Sequence, residues 1–554
     1  MKSTDFLTFL LIFLIPVFGN SQIEKVIDQY KAYTPSISDA NKIKFFPEII
    51  DSTVIEKEIN YSIFTKPLFV NCRFDPITPA RIEGEPLTKL YRSYIKLGFG
   101  NYITPLAEIY YNSIRSKDFS YGLYYNHLSS LGNLKIRDSK IYSGYNDNYA
   151  GIYGKKFLQN KKTIGGSIDA GRNSYYYYGY TPLSSTLTDM NKEDLDKQNV
   201  ISLKSSIYLK NNYSDSLHTN FETNFNYNFL QDYYKLNEQE FQLVNQISKF
   251  YGDELFGLTG DIAVYNTNLL SDTITNGIIQ IKPWASIVGD EWRIEAGLNF
   301  TADAYSDSIS YHIYPKVQLQ YNVVDNFLIP YVGYSGFLQN NNYRFLLTEN
   351  PYISQGTNIS KTNHLIVLYG GLKGNFSKST SYNFKASYSV IENMLFFVND
   401  TGHIQTLNRF STIFDDVELT ELHGEVVYKK SDEWNFIMKG NYFLYTLKTE
   451  LRAWNKPDYD LSLTAKYNLK DKILISAEIF GAGTRYTKVY MNNSEFTEFA
   501  LNSYIDANIN IEYRYSKILS AFVYVNNITS SNYRLWYGYP VQGINFIFGL
   551  TYSL

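Results

Sequence analysis

The sequence predicts an all-β fold: a transmembrane antiparallel β-barrel of about 22 strands with a short irregular N-terminal arm. Long segments alternate between apolar and polar residues, and short turns alternate with longer loops. The 53 Tyr and 36 Phe make aromatics 17% of the 554 residues, although hydrophobic residues are only 44% and charged residues 19%. A soluble core needs far fewer aromatics, so we expect them to cover a surface.

The chain ends in an alternating segment, INFIFGLTYSL. Successive side chains of a strand point to opposite faces, so one face of this segment is apolar and the other is small and mostly polar. The apolar face consists of Ile544, Phe546, Phe548, Leu550, Tyr552 and Leu554. In a barrel of this size, we expect lipid to cover that face.

The same alternation recurs between residues 91 and 554, most clearly in segments 217–229, 292–301, 459–469 and 505–515. These segments run for about ten residues or more, which is the length that crosses a bilayer at a tilt, whereas globular strands average about five or six. The alternative is a secreted all-β protein, such as a propeller or sandwich. That alternative is disfavoured because the strands are long and the chain has no blade-like repeat.

The connections also alternate in length. Longer stretches rich in Asn, Tyr and Ser separate tight polar turns at 159–162, 251–254, 289–291, 324–326, 377–380, 431–433, 470–472 and 516–517. The longer stretches are 179–198, 340–362, 392–416 and 482–499. In an outer-membrane barrel the short turns face the periplasm and the long loops face outside. Trp292 and Trp434 directly follow tight turns, where an interfacial aromatic girdle is expected.

Residues 1–21 read as a secretory signal peptide, with Lys2, an apolar run from Phe6 to Phe18 and cleavage after Ser21. Residues 22–90 are expected to form a partly extended arm, because Pro67, Pro76, Pro79 and Pro86 disfavour regular helix or central strand. Two roles stay open for this arm: it enters and occludes the lumen, or it is a periplasmic tail. The single cysteine, Cys72, excludes an intramolecular disulfide and is expected to be a buried thiol rather than a reactive one.

Composition and motifs give no sign of catalysis or nucleic-acid binding. A net charge of −3 and a pI near 6.2 provide no attraction to a phosphate backbone. None of the six His residues has metal-ligand spacing, and the segment GGSIDAG lacks the nucleophile-elbow pattern because Asp169 replaces the second Gly. We therefore predict no enzyme, no catalytic residue, no metal site and no cofactor.

The closing segment from Val523 to Leu554 resembles the final two strands of the TonB-dependent receptors of Gram-negative outer membranes. The matching residues are Asn526, Asn527, Ile528, Tyr533, Gly543 and Gly549. This resemblance implies a barrel of about 22 strands in the cell outer membrane. It also implies that the last strand, through Phe546, Phe548, Leu550, Tyr552 and Leu554, is the signal to the barrel-assembly machinery.

The chain departs from the family pattern at both ends. Leu554 stands where the family usually has an aromatic terminus, and residues 22–90 are too few for the usual plug domain. The expected protein is therefore a receptor-like barrel that passes or binds a solute through a wide polar lumen without a standard plug. The alternative is a structural barrel subunit of an outer-membrane assembly or secretion complex.

Aromatic stretches in the long loops are candidate ligand sites, because Tyr and Trp combine a rigid apolar body with a polar group. The candidates are Tyr175, Tyr176, Tyr177, Tyr178, Tyr352, Trp536 and Tyr537. For Tyr175 to Tyr178 an outer aromatic girdle is the favoured alternative. The expected partners are outer-membrane lipid, the barrel-assembly machinery during insertion, and other outer-membrane or surface proteins, without nucleic acid.

Overall fold

The computed structural model describes residues 90–136, 138–180, 188–268, 273–305, 308–403, 406–491 and 495–554. The signal peptide, most of the predicted arm, its four prolines and Cys72 lie outside these residues. In the described part, 22 strands form one sheet in which each strand pairs antiparallel with the next. The barrel strands are β1 (Ser93–Gly100), β2 (Thr104–Asn112), β3 (Phe119–Ser130), β6 (Tyr145–Phe157), β7 (Lys162–Tyr176), β8 (Lys197–Asn211), β9 (Thr219–Gln231), β10 (Asn237–Tyr251), β11 (Glu254–Asn268), β12 (Thr273–Val288), β13 (Trp292–Tyr305), β14 (Ser308–Tyr321), β15 (Ile329–Gln339), β16 (Thr362–Ser377), β17 (Thr380–Asn399), β18 (Phe410–Lys430), β19 (Trp434–Leu447), β20 (Tyr459–Leu469), β21 (Ile473–Ala482), β24 (Tyr504–Arg514), β25 (Leu519–Asn526) and β28 (Asn545–Ser553).

The sheet closes on itself where the last strand pairs with the first. Phe548 of β28 lies opposite Phe99 of β1, and the Leu554 N–H donates to the Ser93 carbonyl at 2.9 Å. A closed barrel leaves no unpaired sheet edge, so no backbone amide is left unsatisfied in lipid. The predicted all-β barrel of about 22 strands is confirmed.

The closing seam depends on two opposed glycines. Gly98 pairs with Gly549, and a Cβ added at Gly549 would lie 2.0 Å from the Leu97 carbonyl oxygen and 2.7 Å from the Phe522 ring. Beside this pair, Lys96 Nζ donates to Glu108 Oε1 at 3.4 Å and to the Tyr524 hydroxyl. The glycine that carries the family resemblance in the last strand is therefore a close-approach position.

The apolar faces predicted from the sequence point away from the barrel axis. On β28, Phe548 and Leu550 are 55% and 57% exposed, whereas Ile547 and Thr551 on the other face are buried. Trp292 and Trp434 also lie on the outer surface, each 38% exposed at the start of its strand. Lipid contact accounts for such a continuous exposed apolar surface.

The opposite face carries polar side chains that are hydrogen-bonded across neighbouring strands. The Tyr124 hydroxyl donates to Asp169 Oδ1 at 2.7 Å, and Gln242 Nε2 donates to Asp261 Oδ1 at 3.0 Å. Farther round the barrel, Asn441 Nδ2 donates to Asp460 Oδ1 at 2.8 Å. These side chains alternate with the exposed apolar ones, so they line the inner wall.

Every predicted tight turn lies at one end of the barrel, together with the start of β1 and the end of β28. The longer connections lie at the other end, which is the extracellular end by the usual rule. One predicted loop is wrong in extent: 392–416 is strand up to Asn399 and again from Phe410, with a connection of only 400–409. Leu395 to Val398 are buried on both faces, so these strands extend beyond the lipid band and pack against other loops.

The extracellular connections contain secondary structure of their own. Three hairpins pair β4 (Asn133–Ile136) with β5 (Ser139–Tyr142), β22 (Arg485–Tyr490) with β23 (Phe496–Leu501), and β26 (Arg534–Trp536) with β27 (Tyr539–Pro540). The connection between β15 and β16 forms helix α1 (Tyr343–Glu349), and 3-10 turns occupy Lys192–Asp194 and Thr401–His403. None of the helices in the described residues is long and apolar enough to cross a membrane.

Candidate functional site: the extracellular loop layer

The long connections at the extracellular end pack into one layer, here called the loop layer. It comprises the described parts of 131–144, 177–196, 232–236, 340–361, 400–409, 448–458, 483–503 and 527–544, together with the strand ends that they join. Its interior contains much of the buried apolar surface of the protein, in clusters that combine residues from several connections. The layer is therefore a packed structure rather than a set of separate loops.

Tyrosines from three connections meet near the centre of the layer. The rings of Tyr352 and Tyr539 stack with centroids 3.5 Å apart, and Tyr178 meets Tyr539 edge to face at 4.9 Å. Burial raises the pKa of Tyr178 to about 12, so its hydroxyl stays protonated and donates to the Pro540 carbonyl at 3.1 Å. Tyr177 is fully buried, and its hydroxyl donates to the Ile353 carbonyl at 3.3 Å.

These contacts join connections that leave the barrel on nearly opposite sides. Ten strands separate the 177–196 connection from the 400–409 connection in one direction around the 22-stranded sheet, and twelve separate them in the other. Asn408 Nδ2 nevertheless donates to the Tyr177 carbonyl at 3.0 Å, and the Tyr539 hydroxyl donates to the Asn408 carbonyl at 2.5 Å. The loop layer therefore reaches across the barrel opening.

Arg409 joins three connections through one guanidinium group. Its Nη2 donates to Asp196 Oδ2 at 2.7 Å and to the Tyr234 hydroxyl at 3.1 Å. The guanidinium carbon also lies 4.4 Å from the Tyr177 ring centroid, within cation–π range. The Arg409 side chain is only 5% exposed, and these partners take the place of water at Nη2 and at the face of the guanidinium group.

Helix α1 is held in place by two acidic side chains, Glu238 on barrel strand β10 and Asp232 in the 232–236 connection. Asn342 caps the helix by accepting from the Phe345 N–H at 2.9 Å, and Glu238 of β10 accepts from the Tyr343 N–H at 2.7 Å. The Tyr343 hydroxyl donates to Asp232 Oδ2 at 3.1 Å. A carboxylate at a helix N-terminus satisfies otherwise unpaired N–H groups, so Glu238 fixes the position of this helix.

A hydrogen-bonded pair of a carboxylate and an imidazole, Asp400 and His403, stabilises the turn between β17 and β18. Asp400 Oδ2 lies 2.6 Å from His403 Nδ1, and Asp400 Oδ1 accepts from the Gly402 N–H at 3.2 Å. Burial alone would raise the Asp400 pKa, but the hydrogen bonds from His403 and Gly402 outweigh it and the net pKa is lowered. The ionised carboxylate is thus part of the folded turn.

The structure brings together most of the aromatic residues predicted as ligand-loop candidates. Tyr175, Tyr177, Tyr178 and Tyr352 form one contacting group, whereas Tyr176 packs against the β4–β5 hairpin. Trp536 contacts Phe397 and Phe410, and Tyr537 lies in a neighbouring cluster. Tyr176 and Tyr177 are buried, Tyr176 beside the β4–β5 hairpin. The girdle alternative for Tyr175 to Tyr178 stays a prediction. Their role in ligand binding stays a prediction.

Sequence reasoning did not select Arg409, Tyr343 or Tyr539. The segment around Arg409 has no local pattern that distinguishes it from other polar loop residues, because its partners are distant in sequence. For Tyr539 a signal existed, because it follows the candidates Trp536 and Tyr537 in the aromatic stretch RLWYGYP, and Gly538 in that stretch adopts a φ of +81° in a tight turn. That turn brings Gly538 against Gly179 and places the Tyr539 ring over it.

These features define an outer-membrane β-barrel with 22 strands in the described residues. They are the closed sheet, the outward apolar surface, and the short turns at one end of the barrel with the longer connections at the other. This location and this fold class are the ones that the sequence predicts. No protein-family profile and no curated protein sequence matches the chain.

Solved structures of TonB-dependent receptors share this barrel fold. The pyoverdine outer membrane receptor FpvA of Pseudomonas aeruginosa matches with a TM-score of 0.64 and 12% identity, covering 84% of this chain and 79% of that one. The ferric-catecholate import receptor Fiu of Escherichia coli gives 0.63 and 10%, covering 84% and 82%. The FrpB iron transporter of Neisseria meningitidis gives 0.65 and 9%, again covering 84% and 82%. Those proteins are described as receptors or transporters, and at these identities the likeness to this chain is one of barrel fold.

Proposed function

We propose that this protein binds a solute at the cell surface and passes it through the barrel, with the loop layer as the extracellular gate. One observation carries the proposal: connections from nearly opposite sides of the barrel are bonded to one another over its opening. Such an arrangement can close the barrel to solutes and open when its contacts are exchanged. The contacts are individually weak hydrogen bonds and ring packing, which a ligand or partner can exchange for its own.

The inner wall supports the passage of a polar solute. Its side chains include neutral amides and hydroxyls as well as both signs of charge, for example Lys373 Nζ donating to Gln320 at 2.9 Å and Lys282 within 3.8 Å of Asp261. Barrels of about 22 strands enclose more space than their side chains fill. The matched structures are receptors or transporters, and the shared fold supports a transport function for this protein. It does not identify the solute, because the solutes in their descriptions are those of the matched proteins.

Liposome swelling in small neutral sugars tests this function. The full mature protein is compared with Tyr352→Ala/Tyr539→Ala, which removes the stacked ring pair in the layer. We expect little swelling for the wild type, with or without residues 22–89, and sugar-size-dependent swelling for the double variant once those residues are removed. If neither protein admits sugar, even after residues 22–89 are removed, the transport proposal is wrong. Stoichiometric co-purification of other outer-membrane proteins would then favour the structural-subunit alternative.

A further inference from the structure

A cationic cavity lies on the outer surface of the barrel, away from the loop-layer centre. Its volume is about 440 Å³, and its lining comes from β3, β6, β7, β8, the β4–β5 hairpin and its flanking residues, and the 3-10 turn Lys192–Asp194. Three basic residues, Arg172, Lys192 and Lys197, contribute to the lining, and no carboxylate does. Tyr142, Tyr176, Asn146, Asn148, Ser129 and Ser174 supply most of the remaining lining.

Strand pairing places this cavity on the lipid side of the wall. Arg172 pairs with Asn148 on β6, and four residues earlier on the same face Ile168 pairs with Ile152. Ile168 and Ile152 are 48% and 57% exposed, which identifies their face as the outward one. Because side chains alternate with a period of two, Arg172 and Ser174 also point outward.

The height of the cavity is that of the outer membrane interface. A strand rises about 3.3 Å per residue and barrel strands tilt by about 40°, so each residue gains about 2.5 Å in height. From Lys162, at the short-turn end of β7, to Arg172 is a rise of about 25 Å, which equals the usual height of the apolar band. The outward residues on β7 change from Ile168 and Ala170 to Arg172 and Ser174 at this point.

Neighbouring polar side chains hold the cavity wall in place. Arg172 Nε donates to Asn199 Oδ1 at 2.8 Å, and Ser174 Oγ donates to the same oxygen at 2.7 Å. On the adjacent strands His127 Nδ1 lies 2.8 Å from Asn148 Oδ1. The Arg172 guanidinium is thus oriented by the Asn199 amide, which is neutral and does not offset its positive charge.

We propose that this cavity binds the phosphate-bearing headgroup of a glycolipid in the outer leaflet. Three cations without a carboxylate in the lining match an anion, and Arg with two Lys is a recurrent combination for phosphate. The occupant is a lipid rather than a free anion because the cavity begins where the outward apolar residues end. Acyl chains can then lie on Ile168 and Ile152 while the headgroup meets Arg172.

Native mass spectrometry of the full mature protein in detergent tests the assignment, with bis-phosphorylated lipid A as the probe. The test variants are Arg172→Gln, Lys192→Gln, Lys197→Gln and their triple combination. The matched control is Lys135→Gln, on the same hairpin region, whose side chain is 73% exposed and outside the lining. We expect each single substitution to weaken binding about fivefold and the triple about a hundredfold, with no change for the control.

Two further ligands separate the possible occupants. Dephosphorylated lipid A should bind the wild type as weakly as bis-phosphorylated lipid A binds the triple variant. Inorganic phosphate at equal concentration should not displace the lipid. Equal binding of both lipid A forms, or an unchanged triple variant, would overturn the phosphate site, and displacement by inorganic phosphate would make it a free-anion site. Heat-modifiable electrophoretic mobility checks folding, and the single variants decide the question if the triple does not fold.

Discussion

Arg409 joins three of the connections in the loop layer. Its guanidinium contacts Asp196, Tyr234 and Tyr177 from two other connections while almost fully buried. We expect Arg409→Gln to lower the free energy of opening of the layer by about 2 kcal/mol, because the ion pair and the cation–π contact are lost together. Hydrogen exchange of the described residues in 177–196 and of 232–236, followed by mass spectrometry, should accelerate roughly 30-fold.

Arg452→Gln is the matched control for that substitution. Arg452 also pairs with a carboxylate, Glu498 at 3.3 Å, and lies 4.3 Å from a Tyr486 ring, but its side chain is 48% exposed. Exposed pairs contribute less than about 1 kcal/mol, so exchange in the layer should hardly change. Equal effects of the two substitutions would show that burial of Arg409 is not what stabilises the layer.

Gly549 determines whether the barrel can close. We expect Gly549→Val to prevent closure, because its Cβ would meet the Leu97 carbonyl oxygen of the paired strand at 2.0 Å. The folded, heat-modifiable form on semi-native gels should disappear from outer membranes. Gly260→Val is the control, since a Cβ there meets nothing within 4 Å, and it should fold normally. A folded Gly549→Val protein would mean that the seam is not the tight junction described above.

At the scale of elements, helix α1 tests whether the layer is anchored to the wall. Glu238→Gln replaces the carboxylate that accepts from the Tyr343 and Arg344 N–H groups, at 2.7 and 3.3 Å. Gln keeps only one of these two oxygen acceptors, so one N–H group at the helix N-terminus loses its partner. This loss should lower the free energy of local opening by about 1 kcal/mol, so trypsin should cleave after Arg344 about fivefold faster. Glu349→Gln, at the far end of the helix, should leave the cleavage rate unchanged.

The turn between β17 and β18 should respond to acid. The Asp400 pKa is lowered on folding, so its contribution to stability is complete above its ordinary value of 3.8 and is lost as pH falls through the lowered value. Hydrogen exchange of the described residues in 400–409, corrected for the intrinsic rate, should increase below about pH 4. Asp400→Asn should remove this pH dependence. An increase of the same size in that variant would point to another group.

The elements themselves were largely predictable, and the exceptions have a common cause. Turns such as 289–291 and 470–472 follow from local polar sequence between two alternating runs, because a hairpin turn is a local structure. The segment 392–399 falls in a predicted loop, and its sequence, ENMLFFVN, does not alternate between apolar and polar residues. It is nevertheless strand, paired with β18. Both of its faces are buried, one of them by other loops, and a strand buried on both faces has no need of alternating polar residues.

At the scale of the whole molecule, the sequence predicted the barrel but not the arrangement of its loops. Alternation reveals which face of a strand meets lipid without any knowledge of its neighbours. The loop layer instead rests on pairs such as Asn408 with Tyr177, which are 231 residues apart. The aromatic candidates were identified by composition, but their mutual stacking and the position of Arg409 depend on the closed ring of strands.

Single-channel conductance in a planar bilayer tests the central claim, which is that the hydrogen-bonded loop layer closes a solute pathway through the barrel. The wild type is compared with Tyr352→Ala/Tyr539→Ala, and both proteins are also measured without residues 22–89. We predict that the wild-type loop layer keeps the barrel silent with or without those residues, and that the double variant gives discrete openings once they are removed. Large, steady conductance from the wild-type protein would contradict the account.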